Sequence, residues 1–114
     1  MSRPRAGDVT IFTRDLALLL RAGARIDDAL ELLANDVDIG RLRPVVGKIR
    51  AGVLAGESFG EAISAYPSLF SAMYVALVRV GEASGTLDQV LELLADERDR
   101  ADAVRRKRKE IRRI

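Results

Sequence analysis

A chain of 114 residues with 48% apolar and 32% charged side chains has the balance of one globular domain with a real core, which excludes a disordered segment. It contains no Cys and no His, so a disulfide framework is excluded, the usual zinc and haem ligands are missing, and any enzyme would have to work with carboxylates, Ser, Arg and Tyr. The net charge of +2 is unevenly placed: seven basic residues against Glu110 give residues 103–114 a charge of +6 and leave −4 on residues 1–102.

In chain order, residues 1–7 lack the apolar stretch of a signal peptide and read as a flexible leader to a domain spanning 8–114. The apolar spacing is helical throughout, and no segment alternates as a strand would. A first helix is expected over 8–22, with Ile11, Phe12, Leu16 and Leu19 on one face and Leu18 and Leu20 widening it; Gly23 is a left-handed stop. A second covers 26–35, with Asp27 and Asp28 in its first turn, where carboxylates suit the helix dipole. A third covers 39–54; Pro44 means that it either begins near Arg43 or bends there. A short fourth helix, 59–65, starts at a Ser58/Glu61 capping box. A fifth spans 71–80, with Met73, Tyr74, Leu77, Val78 and Val80 as its apolar set, and residues 81–85 read as a turn. The last begins at Thr86 and buries Leu87, Val90, Leu91 and Leu94. Beyond Ala95 the stripe fails and the helix is expected to project from the bundle.

With aromatic residues at 4% and no Trp, the core is expected to be aliphatic. The longest apolar runs, 16–20 and 72–78, fall far short of the roughly 18–20 residues that cross a bilayer, so the residues given are expected to be soluble. The fold class is all-α: a six-helix antiparallel bundle with an extended C-terminal helix. An internal repeat supports it. Leu20-Arg21-x-Gly23 leads to Ile26-Asp27-x-Ala29-Leu30-Glu31-Leu32-Leu33-Ala34, and Val78-Arg79-x-Gly81 leads to Leu87-Asp88-x-Val90-Leu91-Glu92-Leu93-Leu94-Ala95. The second copy has three more residues in its connection, which suggests two similar hairpins packed together.

Four segments carry a resemblance: Phe12-Thr13-Arg14-x-Leu16-Ala17-x-Leu19-Leu20-x-Ala22-Gly23, Asp28-Ala29-Leu30-Glu31-x-Leu33, Gly56-Glu57-Ser58-Phe59-x-Glu61-Ala62, and Val78-Arg79-Val80-Gly81-Glu82-Ala83-Ser84-Gly85-Thr86-Leu87-Asp88-x-Val90-Leu91. In this order and spacing, over about residues 8–108, the chain resembles the type II secretion system protein F family, which includes the platform proteins of type IV pilus assembly. The resemblance implies a non-enzymatic six-helix domain that pairs with itself. It also implies a place on the cytoplasmic face of the bacterial inner membrane, with the assembly ATPase and other machine proteins as partners. Family members carry two such domains and membrane helices; one copy and no membrane helix are seen here.

The candidate interaction residues are Gly81, Glu82, Ala83, Ser84 and Gly85, read as a tight turn with a projecting charge, against the plainer reading of a connector capped by Thr86. Leu16, Leu19 and Leu20 belong, with Leu18, to a wide apolar face that suggests a homodimer, built by an apolar patch of the first, fifth or sixth helix. Glu82 is the one candidate metal ligand, for calcium; a single carboxylate needs the backbone or a second chain to complete such a site, and no other cofactor is expected. Asp27, Asp28 and Asp88 suit helix dipoles, and Arg21 and Arg79 suit helix ends or nearby carboxylates. Gly47-Lys48 is no phosphate loop, since Leu42 and Ile49 stand where Gly and Ser or Thr are required. The basic residues Arg105, Arg106, Lys107, Arg108, Lys109, Arg112 and Arg113 read as the flank of a membrane helix. The alternatives are a small helical nucleic-acid-binding protein using this basic end, or simply a solvated helix end. No aromatic residue interleaves there, and nucleic acid is not the expected partner.

Overall fold

The computed structural model describes residues 3–113, with side chains through Arg112. Within this range the chain forms α1 (Ala6–Arg21), α2 (Ile26–Ala34), a 3-10 segment (Val37–Leu42), α3 (Arg43–Leu54), α4 (Phe59–Ser64), α5 (Ala72–Ser84) and α6 (Leu87–Arg113), with no strand among the described residues. The expected all-α class and its six helices are therefore present. Met1, Ser2 and Ile114, and the side chain of Arg113, lie outside the described part of the leader and the basic end.

Local chemistry sets the boundaries. The first helix begins at Ala6, inside the expected leader, because the Asp8 carboxylate accepts the Arg5 N–H at 2.9 Å and closes the first turn. Of the two readings of Pro44, the structure takes the first. The 3-10 segment contains Gly40 at φ 56°, α3 starts afresh at Arg43, and the proline sits in its first turn, where its missing N–H has no partner to lose. Ser58 caps α4 by accepting the Glu61 N–H at 3.0 Å, and Ser71 caps α5 by accepting the Tyr74 N–H at 3.1 Å.

The core corrects the expectation of a purely aliphatic interior. All three Phe are buried together with Tyr74. Phe12 meets Phe59 and Phe70 with ring centroids 6.5 and 6.2 Å apart, and Phe70 meets Tyr74 at 5.1 Å. Few aromatics suffice because each fills the volume where α1, α4 and α5 converge. Around them lie Leu16, Leu30, Ile39, Leu42, Val46, Ile49, Ile63, Val78 and Leu91. The Tyr74 hydroxyl is satisfied by Thr13 at 2.8 Å, and burial pushes its ionisation up to about 12.

The expectation that α6 leaves the bundle after Ala95 also needs correction. A polar seam continues where the apolar stripe ends. Arg21 pairs with Glu92, Arg14 with Asp96 at 2.8 Å and with Asp99, and Thr10 donates to Asp102 at 2.9 Å. Arg98 donates to Thr10 Oγ1 at 3.1 Å and to the Ala6 carbonyl at 2.9 Å. Partners rise along α1 as they fall along α6, so these two helices run antiparallel. Only past about Ala103 does α6 stand clear, with residues 104–112 all exposed.

Candidate interaction surfaces

The segment 81–85 is not a loop. It is the last turn of α5, and only Gly85, at φ 74°, is left-handed. Gly81 is helical and buried at the crossing with α6. A Cβ there would stand 3.0 Å from Leu87 Cα and 3.1 Å from Val90 Cγ2. Glycine serves close helix approach at this point, not turning. Ala83, Ser84 and Gly85 are exposed, and the Ser84 hydroxyl bonds to the Val80 carbonyl and to Thr86 Oγ1.

Glu82 does not project. Its two carboxylate oxygens accept the N–H groups of Phe59 and Gly60, each at 2.9 Å. With Ser58 taking the Glu61 N–H, the first three amides of α4 are all satisfied, and a carboxylate sits at the positive end of that helix. Gly60 makes room: a Cβ there would meet Arg79 Cγ at 2.7 Å and Glu82 Oε1 at 3.0 Å. The two glycine-containing segments singled out in the sequence are thus two halves of one clasp. Sequence reasoning missed this; the only signal was Glu82 lying 23 residues beyond a capped start with a glycine at its second position. Among the described residues no group of three His, Cys, Asp or Glu could hold a metal ion.

The apolar face on α1 is also redrawn. Leu16 is fully buried, so it is unavailable to a partner, and Leu19 and Leu20 are half-buried against the core. The exposed apolar surface lies instead on α5 and α6. Met73, Leu77 and Val80, spaced i, i+4, i+7, form an outward row from the apolar set of this helix; Met73 is 71% and Val80 59% exposed. Tyr74, Val78 and Gly81 take the inward positions. On α6, Leu93 is 68% exposed. Leu77 lies one turn before Gly81, and Leu93 one turn after Val90, which Gly81 abuts, so the two rows flank the outer α5–α6 seam. Val104 and Ile111, 11 and 18 residues beyond Leu93, continue its line along α6.

The remaining candidates fall out simply. Arg105 pairs with Asp102, and Arg106, Lys107, Arg108, Lys109 and Arg112 are exposed around the free end of α6. Arg25 donates to Asp27 at 3.3 Å and holds its carboxyl below the ordinary range. Asp15 shifts the other way, raised by burial and by its neighbours Asp36 and Asp38. No helix among the described residues is long and apolar enough to cross a membrane.

The family model described as type II secretion system (T2SS), protein F, matches residues 12–113. A type II secretion system protein F of Aeromonas hydrophila is 34% identical over 100 residues, covering 88% of this chain and 26% of that protein. The type IV pilus assembly protein PilC of Thermus thermophilus is 40% identical over 92 residues, covering 81% and 22%. A type II secretion system protein F of Pseudomonas aeruginosa is 35% identical over 102 residues, covering 90% and 25%. The chain spans about a quarter of the length of these relatives.

Proposed function

Since this chain belongs to the type II secretion system protein F family, we propose that it is a non-catalytic interaction domain of an inner-membrane platform protein, lying on the cytoplasmic face. In this reading it pairs with a second copy through the α5–α6 face and contacts the assembly ATPase and other machine proteins. The basic end of α6 leads toward the bilayer, as the excess of Lys and Arg on cytoplasmic flanks favours. The domain needs no cofactor: the role of Glu82 is to hold α4 on α5, so calcium at millimolar concentration leaves the melting temperature unchanged.

The observation that carries the reading is the apolar row Met73, Leu77 and Val80 beside Leu93, a surface that costs free energy when left to water. Sedimentation velocity tests it. The wild-type domain is expected to be dimeric at tens of micromolar, and a Val80→Glu/Leu93→Glu variant, altered only at exposed positions, to be a folded monomer. A wild-type chain that stays monomeric with rising concentration overturns the self-association. The nucleic-acid reading has its own test, because phosphate contacts made by the basic end would weaken binding steeply between about 50 and 200 mM salt. Absence of duplex binding at low salt is the expected result.

A further inference from the structure

A second apolar surface lies on the other flank of α1. It is a groove of about 330 Å³ between α1 and α2, lined by Asp15, Leu18, Leu19, Leu32, Leu33 and Asp36. Leu33 is buried and Leu19 half-buried, and they form the floor. Leu18, 59% exposed, and Leu32, 61% exposed, stand on opposite sides of it, one on each helix. Two adjacent helices with outward leucines leave a trough of the kind that a third helix fills.

Several acids on the same helices and on α6 are held by arginines. Asp27 pairs with Arg25, Glu31 with Arg50, Glu92 with Arg21, and Asp96 and Asp99 with Arg14. Asp15, Asp36 and Asp38 form no ion pair among the described residues. The Asp36 carboxylate accepts the Asp38 N–H, at 2.9 Å, and burial, followed by the charges of Asp36 and Asp38, raises the Asp15 carboxyl above its ordinary range. One side of a leucine-lined groove therefore carries negative charge that forms no ion pair among the described residues. Phosphate-bearing ligands are repelled there, and a cation is attracted.

We propose that this groove docks a cationic amphipathic helix of another protein, with its apolar side between Leu18 and Leu32 and a Lys or Arg set against Asp15 and Asp36. The chain's own basic segment cannot reach the groove. Leu18 lies near the C-terminal end of α1, whereas α6 leaves the bundle past the N-terminal end, about 20 Å away at 1.5 Å per residue. The proposal rests on the reading of the chain as an interaction domain, and it adds a site and a partner chemistry to that reading.

The test uses a labelled helical peptide of Leu and Lys, with Leu at i, i+3, i+4 and i+7, and the same peptide with Glu in place of Lys. Fluorescence anisotropy is expected to show saturable binding of the Lys peptide and none of the Glu peptide. Binding should weaken about tenfold or more in the Asp15→Asn/Asp36→Asn variant and in the Leu18→Ser/Leu32→Ser variant. Circular dichroism checks that both remain folded, as exposed or half-buried positions allow. The Val80→Glu/Leu93→Glu variant is expected to keep full peptide binding, so loss of self-association and loss of this site are read separately. Equal binding by wild type and both groove variants overturns the proposal, and so does equal binding of the Glu peptide. Conversion of a wild-type dimer to monomer by Leu18→Ser/Leu32→Ser also overturns it, since the groove would then belong to a second copy.

Discussion

The two hairpins, α1–α2 and α5–α6, share a sequence pattern and close in different ways. In the first, α1 stops at Arg21, and Gly23 takes the left-handed position, at φ 96°. In the second, the three additional residues do not lengthen a loop. They extend α5 to Ser84 and pass the left-handed role to Gly85. Gly81, the counterpart of Gly23 in the alignment of the two patterns, becomes a contact point between helices. The added turn also carries Glu82, whose counterpart is Ala24, and with it the clasp on α4. The same four-residue signal can end a helix or continue it, and what decides is where the next glycine stands.

Substitutions at five positions sharpen this comparison. Glu82→Ala should have the largest effect, about 3 kcal/mol, because it strips two amides of a charged acceptor at the start of α4. Urea denaturation measures it, and hydrogen exchange at Phe59 and Gly60 should accelerate first. Glu82→Gln, which keeps an acceptor without the charge, should recover part of the loss. Gly81→Ala comes next, at about 2 kcal/mol, from overpacking against Leu87 and Val90.

Gly23→Ala and Gly85→Ala should each cost about 1 kcal/mol by a different route. Neither added methyl meets a neighbour, so only the left-handed backbone resists. Asn at either position should cost less than Ala, whereas at Gly81 it should cost more. A thermal-melt series at these three glycines would collapse the comparison if Gly81 behaved like the other two.

Asp15→Asn, in the first hairpin, should have the smallest effect: a gain of roughly a few tenths of a kcal/mol at pH 7, discounted for its partial exposure. The folded state raises the Asp15 carboxyl above its unfolded range. The wild-type penalty is therefore fully present above the folded value, shrinks as pH falls through it, and is gone below the unfolded one. The gain in melting temperature should disappear on the same descent.

Much of the architecture was legible because its signals are local. Ser58 marks a helix start through its own side chain and Gly23 a helix end through its own backbone, and the buried residues Phe12, Leu30, Ile49 and Leu91 each belong to an apolar stripe at helical spacing. The parts that were not legible depend on residues far apart in the chain. Thr10, Arg14, Arg98 and Asp102 look in sequence like a solvated face, yet they form the seam that seats α6 on α1. Glu82 looks like a loop charge until the start of α4 is beside it. On α5 the apolar residues surround the helix, so periodicity could not say that Tyr74 points in and Met73 out.

The unbroken course of α6 has a mechanical consequence. Its 27 residues make a rod of about 40 Å, of which roughly the last 16 Å stands free. The seated part is gripped by charged and hydroxyl groups that hold orientation more strictly than a smooth apolar contact would. A tilt of the bundle by about 10° would carry the far tip nearly 3 Å sideways relative to the last gripping residue, following the free length. Displacement at one extremity is thereby translated into displacement at the other, without any hinge to absorb it.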